Sequence, residues 1–117
     1  MIRVFTYAKC STCRTALKFL AARNIEPTVI PIRDKPPTKA ELKRMLVLVG
    51  GNLRRLFNTS GEDYKKLNMK ERLPKLSEAD ALELLSKNGN LIKRPFLLTE
   101  TNGTVGFDEK EWNRVLG

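Results

Sequence analysis

The sequence predicts an α/β domain on a mixed sheet, ordered βαβ, then a block of helices, then ββα. Three observations predict it. Residues 2–6 are short, apolar and β-rich, and they precede Ala16, Leu17, Leu20 and Ala21 at helical spacing and a second β-rich run at 28–32. From Thr38 to Asn88 the signals are helix caps and helical stripes. Asn102-Gly103 then stands as a turn signal between two apolar runs, 96–99 and 104–107.

The elements follow in order. A helix between two strands makes the first third a βαβ unit whose strands pair parallel, with Asn24 as the helix stop. Pro31 removes a ladder donor, which assigns the second strand to an edge or an irregularity. Pro36-Pro37 breaks the chain. Thr38-Lys39-Ala40-Glu41 is a capping box, opening a helix with Leu42, Met45, Leu46 and Val49 on one stripe and Gly50-Gly51 at its end. Leu53 to Phe57 reads as a short helix, Asn58-Thr59-Ser60-Gly61 as a turn and Tyr64 to Leu67 as a further helical turn. Ser77 to Asp80 caps a helix that Leu82, Leu84 and Leu85 continue to Asn88-Gly89. Asn102-Gly103 closes an antiparallel hairpin, and Asp108 to Glu111 cap a last helix whose Trp112, Val115 and Leu116 face the core. This order is the thioredoxin plan with a helical insertion at about 38–88 between the two halves, and residues 1–117 are expected to form a single domain of that fold.

A chain of 117 residues, 41% apolar and 30% charged, is long enough for one core. No apolar run is long enough to span a bilayer and Met1 leads straight into the first strand, so a cytoplasmic monomer without membrane contact is expected. The lack of histidine removes Ser-His and Cys-His catalysis and the commonest metal ligand, and no metal site is expected. The net charge of +9 favours an anionic partner: a small oxyanion, glutathione, an acidic protein surface or nucleic acid. Arg54-Arg55 and Lys65-Lys66 lack a long basic tract, a zinc motif or interleaved aromatics, so solvated helix faces are expected there and no direct nucleic-acid contact.

Both cysteines fall at the junction between the first strand and helix, in Cys10-Ser11-Thr12-Cys13. Cys10 precedes the first helical turn, where free N–H groups and the positive end of the helix dipole favour a thiolate, and Lys9 and Arg14 add positive charge. Cys10 is the expected nucleophile. Cys13, one turn on, is the expected resolving thiol, placed to attack a mixed disulfide at Cys10 and release the partner. A structural bridge over so short a loop would stabilise the fold by only about 2 kcal/mol. A structural zinc site needs four Cys or His ligands, and the chain has two cysteines and no histidine. The second site element is Arg94-Pro95, opening the strand beside the first. Its plain reading is a surface arginine next to a strand-opening proline. Its functional reading has Pro95 cis against the dithiol and Arg94 offering a bidentate fork to an oxyanion or carboxylate.

Five stretches carry a resemblance: Cys10-Ser11-Thr12-Cys13-Arg14; Pro36-Pro37-Thr38 before a helix; Leu56-Phe57-Asn58-Thr59-Ser60-Gly61 with Tyr64-Lys65-Lys66-Leu67; Leu91-Ile92-Lys93-Arg94-Pro95; and Gly106-Phe107 before the last helix. Together they resemble the arsenate reductase (ArsC) family, which also contains the Spx regulators and the YffB-like proteins. The resemblance implies a thioredoxin-like fold with a helical insertion, Cys10 as redox nucleophile, and Arg94 beside a cis Pro95 as an anion-binding residue, joined by Ser11, Thr12 and Arg14. It implies no bound cofactor, and glutathione, glutaredoxin or thioredoxin as reductant. The implied partners are a small thiol or oxyanion substrate and a redox protein. Glutaredoxin-dependent arsenate reductases use one active cysteine and three arginines around arsenate. Here Ser60 and Gly106-Phe107 stand where two of those arginines would be, so a complete arsenate pocket is not expected. The Asn-Thr-Ser-Gly turn and the Lys-Arg-Pro strand look closest to the uncharacterised ArsC-like group. The expected function is a thiol-disulfide oxidoreductase. Resemblance to Spx implies the alternative, a redox-sensing transcriptional regulator binding the RNA polymerase α subunit near Gly51.

Overall fold

Four strands form one sheet in the order β2-β1-β3-β4, in a computed structural model that describes residues 1–117. They are β1 (Arg3–Thr6), β2 (Thr28–Pro31), β3 (Phe96–Leu98) and β4 (Gly103–Val105). β1 lies parallel to β2 and antiparallel to β3, and β3 is antiparallel to β4. The right amount of chain for the parallel crossover is supplied by α1 (Ser11–Ala22), and the proline-bearing β2 takes the edge, where a missing N–H costs no ladder bond. With its helices this is a thioredoxin-like α/β fold.

Strand alternation sends apolar side chains to both faces. Val4 and Leu97 meet Ala16, Phe19 and Leu20 of α1 and Trp112 and Val115 of α6 (Glu109–Leu116). Phe5, Phe96 and Leu98 face the larger cluster, which includes Leu42, Met45 and Leu46 of α2 (Lys39–Leu48) and Leu82 and Leu85 of α5 (Glu78–Lys87). The capping box at α2 is complete: Glu41 N–H donates to Thr38 Oγ1 at 3.2 Å and Thr38 N–H to Glu41 Oε1 at 2.9 Å. Ser77 and Asp108 cap α5 and α6 through Asp80 N–H and Lys110 N–H. The Trp112 indole is fully buried and donates to Gly106 O at 2.9 Å. Leu116 is half-buried at the rim of its cluster.

Between α2 and α5 lie a 3₁₀ turn at Leu53–Leu56, α3 (Glu62–Lys66), α4 (Met69–Arg72) and a second 3₁₀ turn at Leu73–Lys75. The last two, with a 3₁₀ turn at Gly89–Leu91, are additions to the elements predicted from sequence. The hairpin also differs from the prediction. Gly103 pairs with Leu98 inside β4, so Asn102-Gly103 is not the turn; residues 99–102 form it. Local bonds close that loop, with Asn102 N–H donating to Thr99 Oγ1 at 2.9 Å and the Arg44 guanidinium to Thr99 O at 2.7 Å. A Cβ on residue 103 would lie 2.7 Å from Leu97 O, so close strand approach, not turn geometry, selects glycine there. No helix is long and apolar enough to cross a membrane.

Candidate active site

Cys10 is the N-cap of α1, with extended backbone (φ −89, ψ 112) that turns its side chain back over the open end of the helix. Cys13 N–H donates to Cys10 Sγ at 3.2 Å, and Cys10 N–H donates to Tyr7 O at 3.0 Å. Both cysteines are free thiols; Cys10 is half-buried, whereas Cys13 is 1% exposed. Burial pushes the Cys13 thiol up to about 12, helped by its hydrogen bond with Cys10 and opposed by a backbone hydrogen bond from Tyr7 and the positive charge of Arg94.

Arg94 approaches from the other half of the chain. The Arg94-Pro95 peptide bond is cis, and Pro95 is buried at the start of β3. The Arg94 guanidinium lies 5.0 Å from the Tyr7 ring centroid. Its Nη1 is buried without a hydrogen-bond partner, an open donor that an anionic oxygen would satisfy. The structure thus gathers Cys10, Cys13 and Arg94 around Tyr7. Arg14 turns elsewhere, donating to Ala8 O at 3.0 Å and bracing the loop before Cys10. Ser11 and Thr12 are exposed in the first turn of α1. Ser60 is exposed, and Phe107 packs edge-on against Phe19 and Trp112, so those positions offer an anion no guanidinium.

Two site residues escaped the sequence reading. Tyr7 and Arg33 line a cleft of ≈ 310 Å³ together with Arg94, Asn58, Asn90 and two acidic residues, Glu62 and Asp63. Arg33 sits 5.0 Å from the Tyr7 ring centroid and donates to the Tyr7 hydroxyl at 2.9 Å. The available signal was topological: Tyr7 and Arg33 follow the carboxyl ends of the parallel strands β1 and β2, the side on which open α/β sheets bind ligands. No group of three or more His, Cys, Asp or Glu side chains is arranged to hold a metal ion.

Fold and dithiol together define an α/β protein of the thioredoxin class. The chain belongs to the ArsC family, whose sequence profile matches residues 5–115. It is 44% identical over 108 residues to the uncharacterised protein YusI of Bacillus subtilis (strain 168), covering 92% of each chain. With the global transcriptional regulator Spx of Enterococcus faecalis it shares 32% identity over 116 residues, 99% of this chain and 86% of the relative. Among solved structures, an ArsC family related protein from Bacteroides fragilis is similar at a TM-score of 0.92 and 41% identity, over 97% of this chain and 96% of that one. An arsenate reductase from Vibrio cholerae is similar at a TM-score of 0.79 and 27% identity, over 98% and 94%.

Proposed function

We propose that the protein is a thiol-disulfide oxidoreductase with Cys10 as nucleophile and Cys13 as resolving thiol. The observation that carries the reading is the contrast between the two sulfurs: Cys10 Sγ caps a helix N-terminus and accepts an amide at 3.2 Å, while burial keeps Cys13 protonated. The Cys10 thiolate attacks one sulfur of a substrate disulfide; the new S–S bond forms as the old one breaks, and one half leaves as a thiolate. Cys13 then loses its proton to the departing thiolate and attacks Cys10 Sγ. The internal disulfide forms and the second half leaves. The substrate gains two electrons and the protein loses two, which glutathione, glutaredoxin or thioredoxin returns as thiols. Arg94 holds a carboxylate or oxyanion of the substrate through its open Nη1. One such fork suits a carboxylate or a weakly held oxyanion, so arsenate binding is weak in this reading.

Similarity to Spx over 99% of the chain supports a second reading, a regulator docking on the RNA polymerase α subunit. An NADPH-coupled assay with oxidised glutathione or arsenate, supplied with glutaredoxin or thioredoxin, separates the two when run beside a pull-down with the polymerase α C-terminal domain. The oxidoreductase reading expects turnover that Cys10→Ser abolishes. Stable α binding without turnover overturns it.

A further inference from the structure

We propose a second anion site, separate from the dithiol, in the cleft between the 3₁₀ turn at Leu53–Leu56 and the segment entering β3, with a small phosphate-bearing ligand as its occupant. Arg54, Arg55 and Lys93 line a cleft of ≈ 280 Å³ with Asn52 and Thr59, over the buried ring of Phe57. That volume equals roughly nine waters at about 30 Å³ each, room for a phosphate or pyrophosphate and part of its hydration.

The cations converge because two segments distant in sequence are locked together. Phe57 and Ile92 form an antiparallel bridge, flanked by Asn58 N–H to Leu91 O at 2.7 Å and Lys93 N–H to Leu56 O at 2.8 Å. Ile92 is extended (φ −88, ψ 137), so the side chains that follow alternate: Lys93 enters this cleft and Arg94 points to Tyr7 and the dithiol. Gly106, at φ +74, leaves space for the lysine stem; a Cβ there would sit 3.3 Å from Lys93 Cε.

The chemistry of the lining selects an acceptor-rich anion. No carboxylate lines the cleft, and none of the three cations forms a salt bridge. Glu111 feels the charge of Arg55, but Arg114 holds its carboxylate by two hydrogen bonds at 2.5 and 3.3 Å. Asn52 Oδ1 already accepts Arg54 N–H at 3.2 Å, which leaves its NH₂ as the free group. Two guanidinium forks, an ammonium, an amide NH₂ and the Thr59 hydroxyl therefore face one opening. A carboxylate would neutralise one of three charges; a tetrahedral phosphate dianion presents more lone pairs and more charge to the same donors.

The test is a titration of inorganic phosphate and pyrophosphate into the reduced, full-length protein, followed by backbone amide shifts at constant low ionic strength. Saturable shifts centred on residues 52–59 and 93 are expected, with pyrophosphate the tighter. Arg55→Gln alters an exposed side chain and removes no packing, so it weakens binding on the order of tenfold without unfolding the protein. Lys93→Gln adds to the loss. Neither variant changes the rate at which the dithiol reduces a neutral disulfide. Shifts confined to residues 7–13 and 94, linear drift without saturation, or unchanged affinity in Arg55→Gln would each overturn the site. A duplex oligonucleotide that perturbs the same amides more strongly than pyrophosphate at equal phosphate concentration overturns the assignment to a small ligand. The proposal shares no residue with the dithiol chemistry, so its failure leaves that reading standing.

Discussion

Cys10 and Cys13 are three residues apart, yet the fold treats their sulfurs in opposite ways. One turn of helix carries Cys13 beneath the surface, where burial favours the neutral thiol, while Cys10 stays at the open helix end among unpaired amides. Brief iodoacetamide treatment of the native reduced protein is therefore expected to modify Cys10 and spare Cys13, as read by peptide mass spectrometry; alkylation of Cys13 at a comparable rate would reverse the assigned roles. The same burial carries a pH signature. Folded Cys13 holds its proton up to about 12, whereas in the unfolded chain it ionises in the ordinary thiol range near 9. The unfolded state thus sheds a proton that the folded state keeps, and stability present below pH about 9 is lost as pH rises towards 12. Urea unfolding of the reduced protein between pH 8.5 and 11 should fall more steeply for the wild type than for Cys13→Ala. Parallel slopes would show that Cys13 ionises alike in both states.

Among the elements, the 3₁₀ turn at Gly89–Leu91 brings the end of the helical insertion against the backbone that leaves β2. A Cβ on residue 89 would lie 1.9 Å from Ile32 O, just past β2, so the backbones touch where only glycine fits. Gly89→Ala should push the turn off Ile32 and loosen the fully buried Leu91, at a cost of about 1–3 kcal/mol. A lower urea midpoint with an unchanged m-value is expected; an unchanged midpoint would mean that the turn can shift freely. Thr38, Ser77 and Asp108 announce their helices because a cap bonds within three residues of itself. Met69–Arg72 is too short for a periodic signal, and what places it is burial of Met69 among residues remote in sequence. Asn102-Gly103 looked like a turn because the Asn-Gly rule is local, while the approach of Leu97 O decides Gly103. The site divides in the same way. Cys10, Cys13 and the Arg94-Pro95 step are short motifs visible in the chain, whereas Tyr7 meets Arg33 across 26 positions only because β1 and β2 pair in parallel.

Over the whole molecule, the acids and bases are sorted unevenly. Along the α2–α5 seam, Glu78 pairs with Lys43 and Glu83 with both Lys39 and Lys87, and those two lysines hold the Glu83 carboxyl down to about 2; Arg3 meets Glu41 beside them. Glu62 and Asp63 line the same cleft as Arg33 and Arg94, so the +9 net charge acts on an incoming anion from the molecule as a whole and not from the cleft alone. The molecule measures 42 × 28 × 23 Å. At roughly 10 mM salt the screening length is about 30 Å, so the whole charge acts on an approaching anion; at roughly 150 mM it is about 8 Å, and only charges close to the anion do. If the protein reduces disulfides as proposed, its kcat/KM for oxidised glutathione should fall several-fold between those salt concentrations, in line with electrostatic steering. The uncharged 2-hydroxyethyl disulfide, attacked by the same Cys10, should change less than about twofold, since steering has no charge to act on. Arg94→Ala should lower the rate with oxidised glutathione at both salt concentrations, because a contact within the cleft is shielded far less than a field acting across solvent. Equal salt dependence for the charged and uncharged substrates would show that the basic surface does not select the substrate.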